Sequence, residues 1–215
     1  MDFGNIRSLL QQTPTAHNFI RLCKVLTPWS PEHYTAELEP YLTAHLESWP
    51  DEARLLPPHW MKQWSVWGND PRVALCRAAR CDVYSASEAF LSDAPPWLTT
   101  LSLFRVEINA AHRFERFANL RHLDMRRVLW RAPLELEQWP ALTQLSVRQC
   151  SFEVTPSLHS QTLERVSCFN QTKPPLHQWL VPETLESLIV DQAEFVAERT
   201  FYEYLKHKGV HVMCW

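Results

Sequence analysis

The sequence predicts an α/β solenoid of about seven short strands, with irregular or 3₁₀ connectors and an α-helical amino-terminal cap. Three observations predict it. A nine-residue pattern of apolar positions recurs about every 22 residues from residue 76 onward, and self-similarity at a period of this size marks a repeat array. The segments between copies are interrupted by prolines, which oppose long helices. Residues 1–68 lack the pattern and carry apolar residues at helical spacing instead.

The clearest copy runs from Leu120 to Val128, with apolar residues at Leu120, Leu123, Met125 and Val128. It recurs at Leu98, with Leu101, Leu103 and Val106, at Leu142, with Leu145, Val147 and Cys150, and at Leu185, with Leu188, Val190 and Ala193. An intermediate copy, Leu163 with Val166 and Cys168, arrives one residue early. Counting back 22 residues from Leu98 reaches a degenerate first copy at Cys76, with Ala79 and Cys81. Counting forward from Leu185 reaches His207, with Val210 and Val212 at the inward strand positions. The expected organisation is a helical cap over 1–68 and a solenoid over 69–215, packed as one unit, with copies starting near 76, 98, 120, 142, 163, 185 and 207.

Within the cap, Phe19, Ile20, Cys23 and Leu26 fall on one helical face, and Tyr34, Leu38, Tyr41, Leu42, His45 and Leu46 repeat the spacing. Ser30 and Pro31 suit the start of that second helix, serine as a cap for free amides and proline in the first turn. Trp49 before Pro50 ends it, because a residue preceding proline is pushed out of helical geometry. A further helix is expected from Pro58 to about Trp67, placing Trp60 and Trp64 on one side to cover the open end of the array. Among the connectors, 130–141 holds Pro133 and Pro140, and 171–184 holds Pro174, Pro175 and Pro182. Short 3₁₀ or extended turns are expected there. Residues 193–207 contain no proline, and Ala197, Phe201, Tyr204 and Leu205 form a helical stripe.

Length and composition narrow the function classes. A chain of 215 residues can bury one large core or form a cap plus an array. No apolar run approaches the roughly 18 to 20 residues that span a bilayer. The start, Met1 to Arg7, lacks a basic leader followed by an apolar stretch and a small-residue cleavage site, so a cytoplasmic protein is expected. The 6 cysteines lack zinc-knuckle spacing and the 10 histidines are scattered, so neither metal nor cofactor is expected. With 3 glycines there is little scope for phosphate-cradling loops, and neither Gly-x-Ser-x-Gly nor His-Glu-x-x-His occurs. A non-enzymatic protein is the expectation.

The nine-residue pattern resembles the leucine-rich repeat family over about residues 76–215. The resemblance implies a horseshoe whose leucine-type positions point into the core, while the residues between them line a parallel sheet on the concave side. It places Cys76, Cys81 and Cys168 inward and Cys150 where the chain turns, as buried thiols in leucine sites. The family's asparagine ladder at the ninth position is replaced here by Tyr84, Val106, Val128, Cys150 and Ala193, which removes side-chain hydrogen bonds from the turns. Cys81 next to Asp82 resembles the cysteine and acid of some repeat-linked ubiquitin ligases, a minor enzymatic alternative that an inward thiol opposes. Trp49-Pro50-Asp51-Glu52 and Pro57-Pro58-His59-Trp60 resemble the leader of some bacterial repeat proteins.

Fixing the inward residues fixes the outward ones, because strand side chains alternate between faces. At the second, third, fifth, seventh and eighth positions stand nine basic residues, Lys208 among them, and five acidic ones, Asp191 among them. The face therefore carries +4 and the rest of the chain −7, although the total is only −3. Arg105, Arg121, Arg126, Arg127 and Arg148 lie on three consecutive copies, Phe104 and Phe169 share a column with Arg126 and Arg148, and His122 lies beside them. Strands about 4.8 Å apart would gather these residues into one cluster. Arginine beside exposed aromatics is the composition of interface hot spots. The expected function is capture of a protein with an acidic surface, in an adaptor, immunity or effector role. The alternative is RNA or single-stranded nucleic acid, with phosphates on the arginines and bases on the phenylalanines. The plain reading of the same residues is arginine stems lying over the sheet with their heads paired to Asp82, Asp124 and Glu164. A second candidate surface is the carboxyl-terminal edge strand, 210–214, which the preceding helix is expected to shield and through which, if it is left unshielded, two copies could pair.

Overall fold

The structure is a computed structural model that describes residues 3–82, 88–93, 95–112, 114–157, 160–169, 174, 176–178, 180 and 184–215. It is an α/β fold: helices at the amino terminus lead into a parallel sheet of seven strands. One hydrophobic core runs through both, from Ile6 to Val210.

The cap begins with α1 (Phe3–Leu10), a helix not anticipated from the sequence, which buries Ile6, Leu9 and Leu10. In α2 (Ala16–Leu26) the Thr15 hydroxyl caps the Asn18 amide, and Phe19, Leu22, Cys23 and Leu26 are buried. Leu22 thus belongs to the inner stripe, and Ile20 is only half-buried. Ser30 accepts from the His33 amide at the start of α3 (Pro31–His33), with Pro31 in the first turn as expected. The chain then widens into a π turn, Tyr34–Leu38, before α4 (Glu39–Leu46). Pro40 explains the widening, since it offers no amide to the preceding turn and its ring crowds the carbonyl there. Tyr34, Leu38, Leu42 and Leu46 point inward, whereas His45 is exposed. The single helix expected over 58–67 is two: α5 (Pro58–Lys62) and α6 (Trp64–Trp67), broken at Gln63, whose φ of −109° and ψ of 39° leave helical geometry. Trp60 stacks on Trp67 at 4.7 Å, and Trp64 meets Phe90 edge-on at 4.9 Å.

Two buried arginines join the cap to the sheet. Arg72 donates to the carbonyls of Leu26, Thr27 and Trp29 beyond the end of α2, pairs with Asp70, and lies 4.8 Å from the Trp67 ring. A cation at a helix carboxyl end meets both orphan carbonyls and the helix dipole. Arg54 donates to the Leu75 carbonyl, while its own carbonyl accepts from the Arg77 and Ala78 amides. Residues 54–56 thereby cover one edge of the sheet, as Leu55 bridges Ala78 in parallel.

Among the described residues ten strands follow: β1 (Ala78–Asp82), β2 (Thr100–Phe104), β3 (Glu107–Ile108), β4 (His122–Arg126), β5 (Leu129–Trp130), β6 (Gln144–Arg148), β7 (Ser151–Phe152), β8 (Arg165–Phe169), β9 (Ser187–Val190) and β10 (His211–Cys214). The large sheet has the order β1-β2-β4-β6-β8-β9-β10, every pair parallel and every neighbour the next copy of the pattern. Between β1 and β2 lies α7 (Glu88–Ser92), which buries Phe90 and Leu91. The register is held by second-position carbonyls that each accept two amides. Thr99 accepts from Arg121 and His122, Arg121 from Thr143 and Gln144, and Thr143 from Glu164 and Arg165.

After each middle strand the chain turns at the eighth position, where Arg105, Arg127 and Gln149 have φ of 54°, 55° and 54°. Val106, Val128 and Cys150 then tuck inward. The turn is thus satisfied by backbone amides and apolar burial in place of an asparagine ladder: Arg105 donates to the Arg126 carbonyl, Arg127 to Arg148, and Gln149 to Phe169. Beyond the turn, β3, β5 and β7 form a second small parallel sheet that the sequence reading missed. Arg131 ties that side together by pairing with Glu107 and Glu153 on the neighbouring copies. The proline-bearing connectors carry 3₁₀ turns at Leu136–Gln138 and Leu176–Gln178, while Pro175 and Pro182 lie outside the described residues. Tyr84 also lies outside them.

The carboxyl-terminal region departs from the expected count. Asp191 leaves the sheet to cap α8 (Gln192–Ala197), so Ala193 is an exposed helical residue and not a turn position. A second helix, α9 (Arg199–His207), follows a break at Glu198, and its inner face is Tyr202 and Leu205, with Tyr204 half exposed. His207 is therefore the end of a helix and starts no copy. Val212 pairs with Leu188 and Cys214 with Val190, which moves the last copy two residues later than expected. Val210 is buried beside the helix end.

Candidate functional site

One face of the large sheet is buried by the leucine-type residues, and the other is open. The burial pattern of β2 and β4 alternates buried residues at the fourth and sixth positions with half-buried or exposed ones at the third, fifth and seventh. Strand pairing lines the outward residues into columns. The seventh-position column reads Asp82, Phe104, Arg126, Arg148, Phe169.

Six of the eight expected binding residues meet at the carboxyl ends of these strands. Phe104 is 37 % exposed, and the Arg105 guanidinium lies 5.0 Å from its ring. Arg148 lies 4.8 Å from the Phe169 ring, and its Nε is buried without a hydrogen-bond partner among the described residues. Arg127 donates from Nε to Gln149 Oε1 at 2.8 Å. Arg126 pairs with Asp124 at 3.0 Å, so at that residue the head is paired as the plain reading expects. Arg105, Arg127 and Arg148 have no carboxylate within 4.0 Å among the described residues.

Arg121 and His122 do not join this group. They sit at the amino end of β4 beside a cleft of about 400 Å³ that also touches Asp51, Glu52, Thr99 and Thr143. His122 and Arg126 are the two ends of one five-residue strand, which separates them by roughly 13 Å. The single cluster expected from the sequence is thus two groups, because residues one copy apart are neighbours while residues four apart along a strand are not.

Two charges counted on the face leave it. Lys208 lies at the end of α9 with its ammonium 5.6 Å from the Tyr204 ring, and Asp191 caps α8. Eight basic and four acidic residues remain, so the balance of +4 is unchanged. The sequence reading also missed the floor of the face. Ser146 and Ser167, with Gln144, Arg165 and Ser187, line a groove of about 280 Å³ over the fifth and third positions. Serine at the fifth position of three copies, Ser102, Ser146 and Ser167, was the available signal.

Five of the 6 cysteines are placed away from solvent. Cys81 is fully buried against the Met61 sulfur at 3.7 Å, and burial pushes its thiol far above the ordinary range, which removes it as a nucleophile. Burial also raises the Cys23 and Cys150 thiols. Cys214 is exposed and the other five cysteines are buried, all with free thiols. Among the described residues no three His, Cys, Asp or Glu side chains converge to hold a metal, and no helix is long and apolar enough to cross a membrane. At the end of the sheet β10 pairs, among the described residues, on one side only, with β9. His211 and Trp215 donate to the β9 side, so alternation turns the Val212 and Cys214 amides toward the open edge.

Against models of known protein families, curated proteins and solved structures, the chain finds no match.

Proposed function

We propose that the chain is a leucine-rich-repeat solenoid, working in the cytoplasm, whose open sheet face binds an acidic surface of another protein without catalysis or cofactor. Support for the repeat architecture comes from the strand order, in which each copy of the pattern pairs with the next in the same register over five successive pairs, from β1 to β9. Support for the partner's chemistry comes from one observation above all. Arg105, Arg127 and Arg148 stand on three consecutive strands without carboxylate partners among the described residues, although acidic residues outnumber basic ones by 24 to 21 in the chain. Neighbouring like charges repel, and folding alone has no use for leaving them together when counter-charges are abundant. The stacking of Arg105 on Phe104 and of Arg148 on Phe169 holds two of the guanidinium groups in place. A side chain ordered before binding loses less entropy when its partner arrives.

Nucleic acid is the competing ligand, because a half-exposed phenylalanine beside arginine also suits base stacking. A fluorescence titration separates the two, using fluorescein-labelled polyglutamate as the acidic-protein probe and polyuridine as the nucleic-acid probe. The variant is Arg105→Glu with Arg127→Glu, which leaves the Arg126–Asp124 pair untouched and exchanges non-glycine residues at positions of the same backbone conformation. The expected result is polyglutamate binding by the wild type, weakened at least about tenfold in the variant with an unchanged melting temperature. Equal binding by both proteins overturns the proposal. So does tighter polyuridine binding with the steep salt dependence of several phosphate contacts.

A further inference from the structure

The amino end of the open face carries a second arrangement of charge. The cleft there, of about 400 Å³, is the size of a small-ligand site, and two parts of the chain wall it. One wall is the 3₁₀ turn Asp51–Ala53 at the end of the cap. That turn is anchored: Ala53 is buried, the Arg54 side chain is tied to the Leu75 carbonyl, and Leu55 bridges Ala78 at the sheet edge. The other wall is the second position of three consecutive copies, Thr99, Arg121 and Thr143. The Arg121 amide donates to the Thr99 carbonyl at 2.8 Å and the Thr143 amide to the Arg121 carbonyl at 3.0 Å, which fixes this wall as well.

The two walls carry opposite charges that do not meet. Among the described residues Asp51, Glu52 and Arg121 have no ion pair within 4.0 Å, with one another or with any other side chain. Elsewhere on the surface facing charges do pair, as Arg116 does with Asp93 and Arg131 with Glu107 and Glu153. Asp51 is partly answered by the buried Arg54, whose charge it favours, whereas Glu52 and Arg121 are exposed and unanswered. The hydroxyls add to the acceptor side. Thr99 donates its hydrogen to the Arg77 carbonyl and Thr143 to the Arg121 carbonyl, so lone pairs are what each has left to offer.

We infer that this cleft binds a small zwitterion, a molecule with an ammonium at one end and a carboxylate at the other. The ammonium goes to Glu52, with Asp51 and the threonine hydroxyls as further acceptors. The carboxylate goes to Arg121, whose planar fork matches it. A ligand with a single charge answers one wall and faces its own sign on the other. The site lies at the opposite end of the strands from Arg126 and Arg148 and does not depend on the reading of the arginine group there.

The probe is 6-aminohexanoate, with hexanoate and hexylamine as controls that each keep the chain and one charged end. All three are titrated into the full chain at low salt and neutral pH, and the amide NMR shifts of Thr99, Arg121 and Thr143 are followed. Two exposed charge contacts give weak binding, so saturation is expected with a Kd of about 1 mM, and both controls should bind at least about fivefold more weakly. Arg121→Gln and Glu52→Gln are each expected to weaken 6-aminohexanoate at least about threefold with an unchanged melting temperature. Lack of saturation by about 20 mM overturns the proposal. So does a control that binds as tightly as the zwitterion, or a zwitterion that binds both variants like the wild type. If a variant does not fold, the comparison of the three probes on the wild type decides.

Discussion

Arg105, Arg127 and Gln149 hold the left-handed backbone region on three consecutive copies, where L-residues with a long side chain cost about 1–2 kcal/mol and asparagine less. Arg127→Asn is therefore expected to raise stability by about 0.5–1 kcal/mol, seen as a rise of about 2 °C in melting temperature. The same substitution should weaken binding of an acidic ligand. A variant that melts lower would show that Arg127 contributes to the fold through contacts beyond its backbone conformation. Buried and exposed thiols give a second residue-scale outcome. In the native protein one cysteine, Cys214, should react promptly with a thiol reagent, and all six after denaturation, because the other five are buried. Little of this was legible in the sequence. The unpaired state of Arg148 and the pairing of Arg126 with Asp124 depend on which side chains reach one another, and a positive φ at arginine has no composition signal.

At the scale of elements the period carried most of the information. Apolar residues at fixed offsets placed six of the seven long strands within their copies, since each offset meets the same core environment. The seventh slipped by two residues because α9 runs on through His207 and ends at Gly209 in a left-handed turn. There the Gly209 amide donates to Lys206 and the Val210 amide to Leu205. Gly209 has φ of 90° and open space around its α-carbon. Gly209→Ala should thus cost about 1 kcal/mol from backbone strain alone, measured by denaturant unfolding. The small sheet of β3, β5 and β7 escaped notice because two-residue strands are too short to show alternation. The π turn before Pro40 escaped because proline announces a disturbance but not its form. The cap adds a pH dependence. Burial, and then the nearby Lys24, hold His59 below its usual 6.5. The unfolded chain binds the proton more readily, so stability is present above about pH 6.5 and falls as the pH drops below it. His59→Gln should flatten the melting temperature between pH 7 and 5, and an unchanged slope would remove His59 as its source.

Over the whole molecule, charge is segregated. A sheet face of +4 belongs to a chain of −3, and Arg105, Arg127 and Arg148 lie unpaired at the carboxyl ends of the central strands. The count was legible from the sequence because alternation assigns each residue to a face. The division of the arginines into a carboxyl-end group and the separate Arg121 and His122 was not, since it needs the strand direction as well as the face. Residues 54–56 cover one edge of the sheet, and β10 leaves the other with one partner strand. If copies of the chain pair there, light scattering should show a mass that doubles with concentration and returns to the monomer value with Val212→Pro, which removes an edge amide.

The most direct test of the open face as a protein-binding site is affinity capture from a lysate of the source organism with the wild type and the Arg105→Glu, Arg127→Glu variant, quantified by mass spectrometry. An acidic protein is expected to be retained by the wild type and lost from the equally folded variant. The same proteins in equal amounts from both would contradict it.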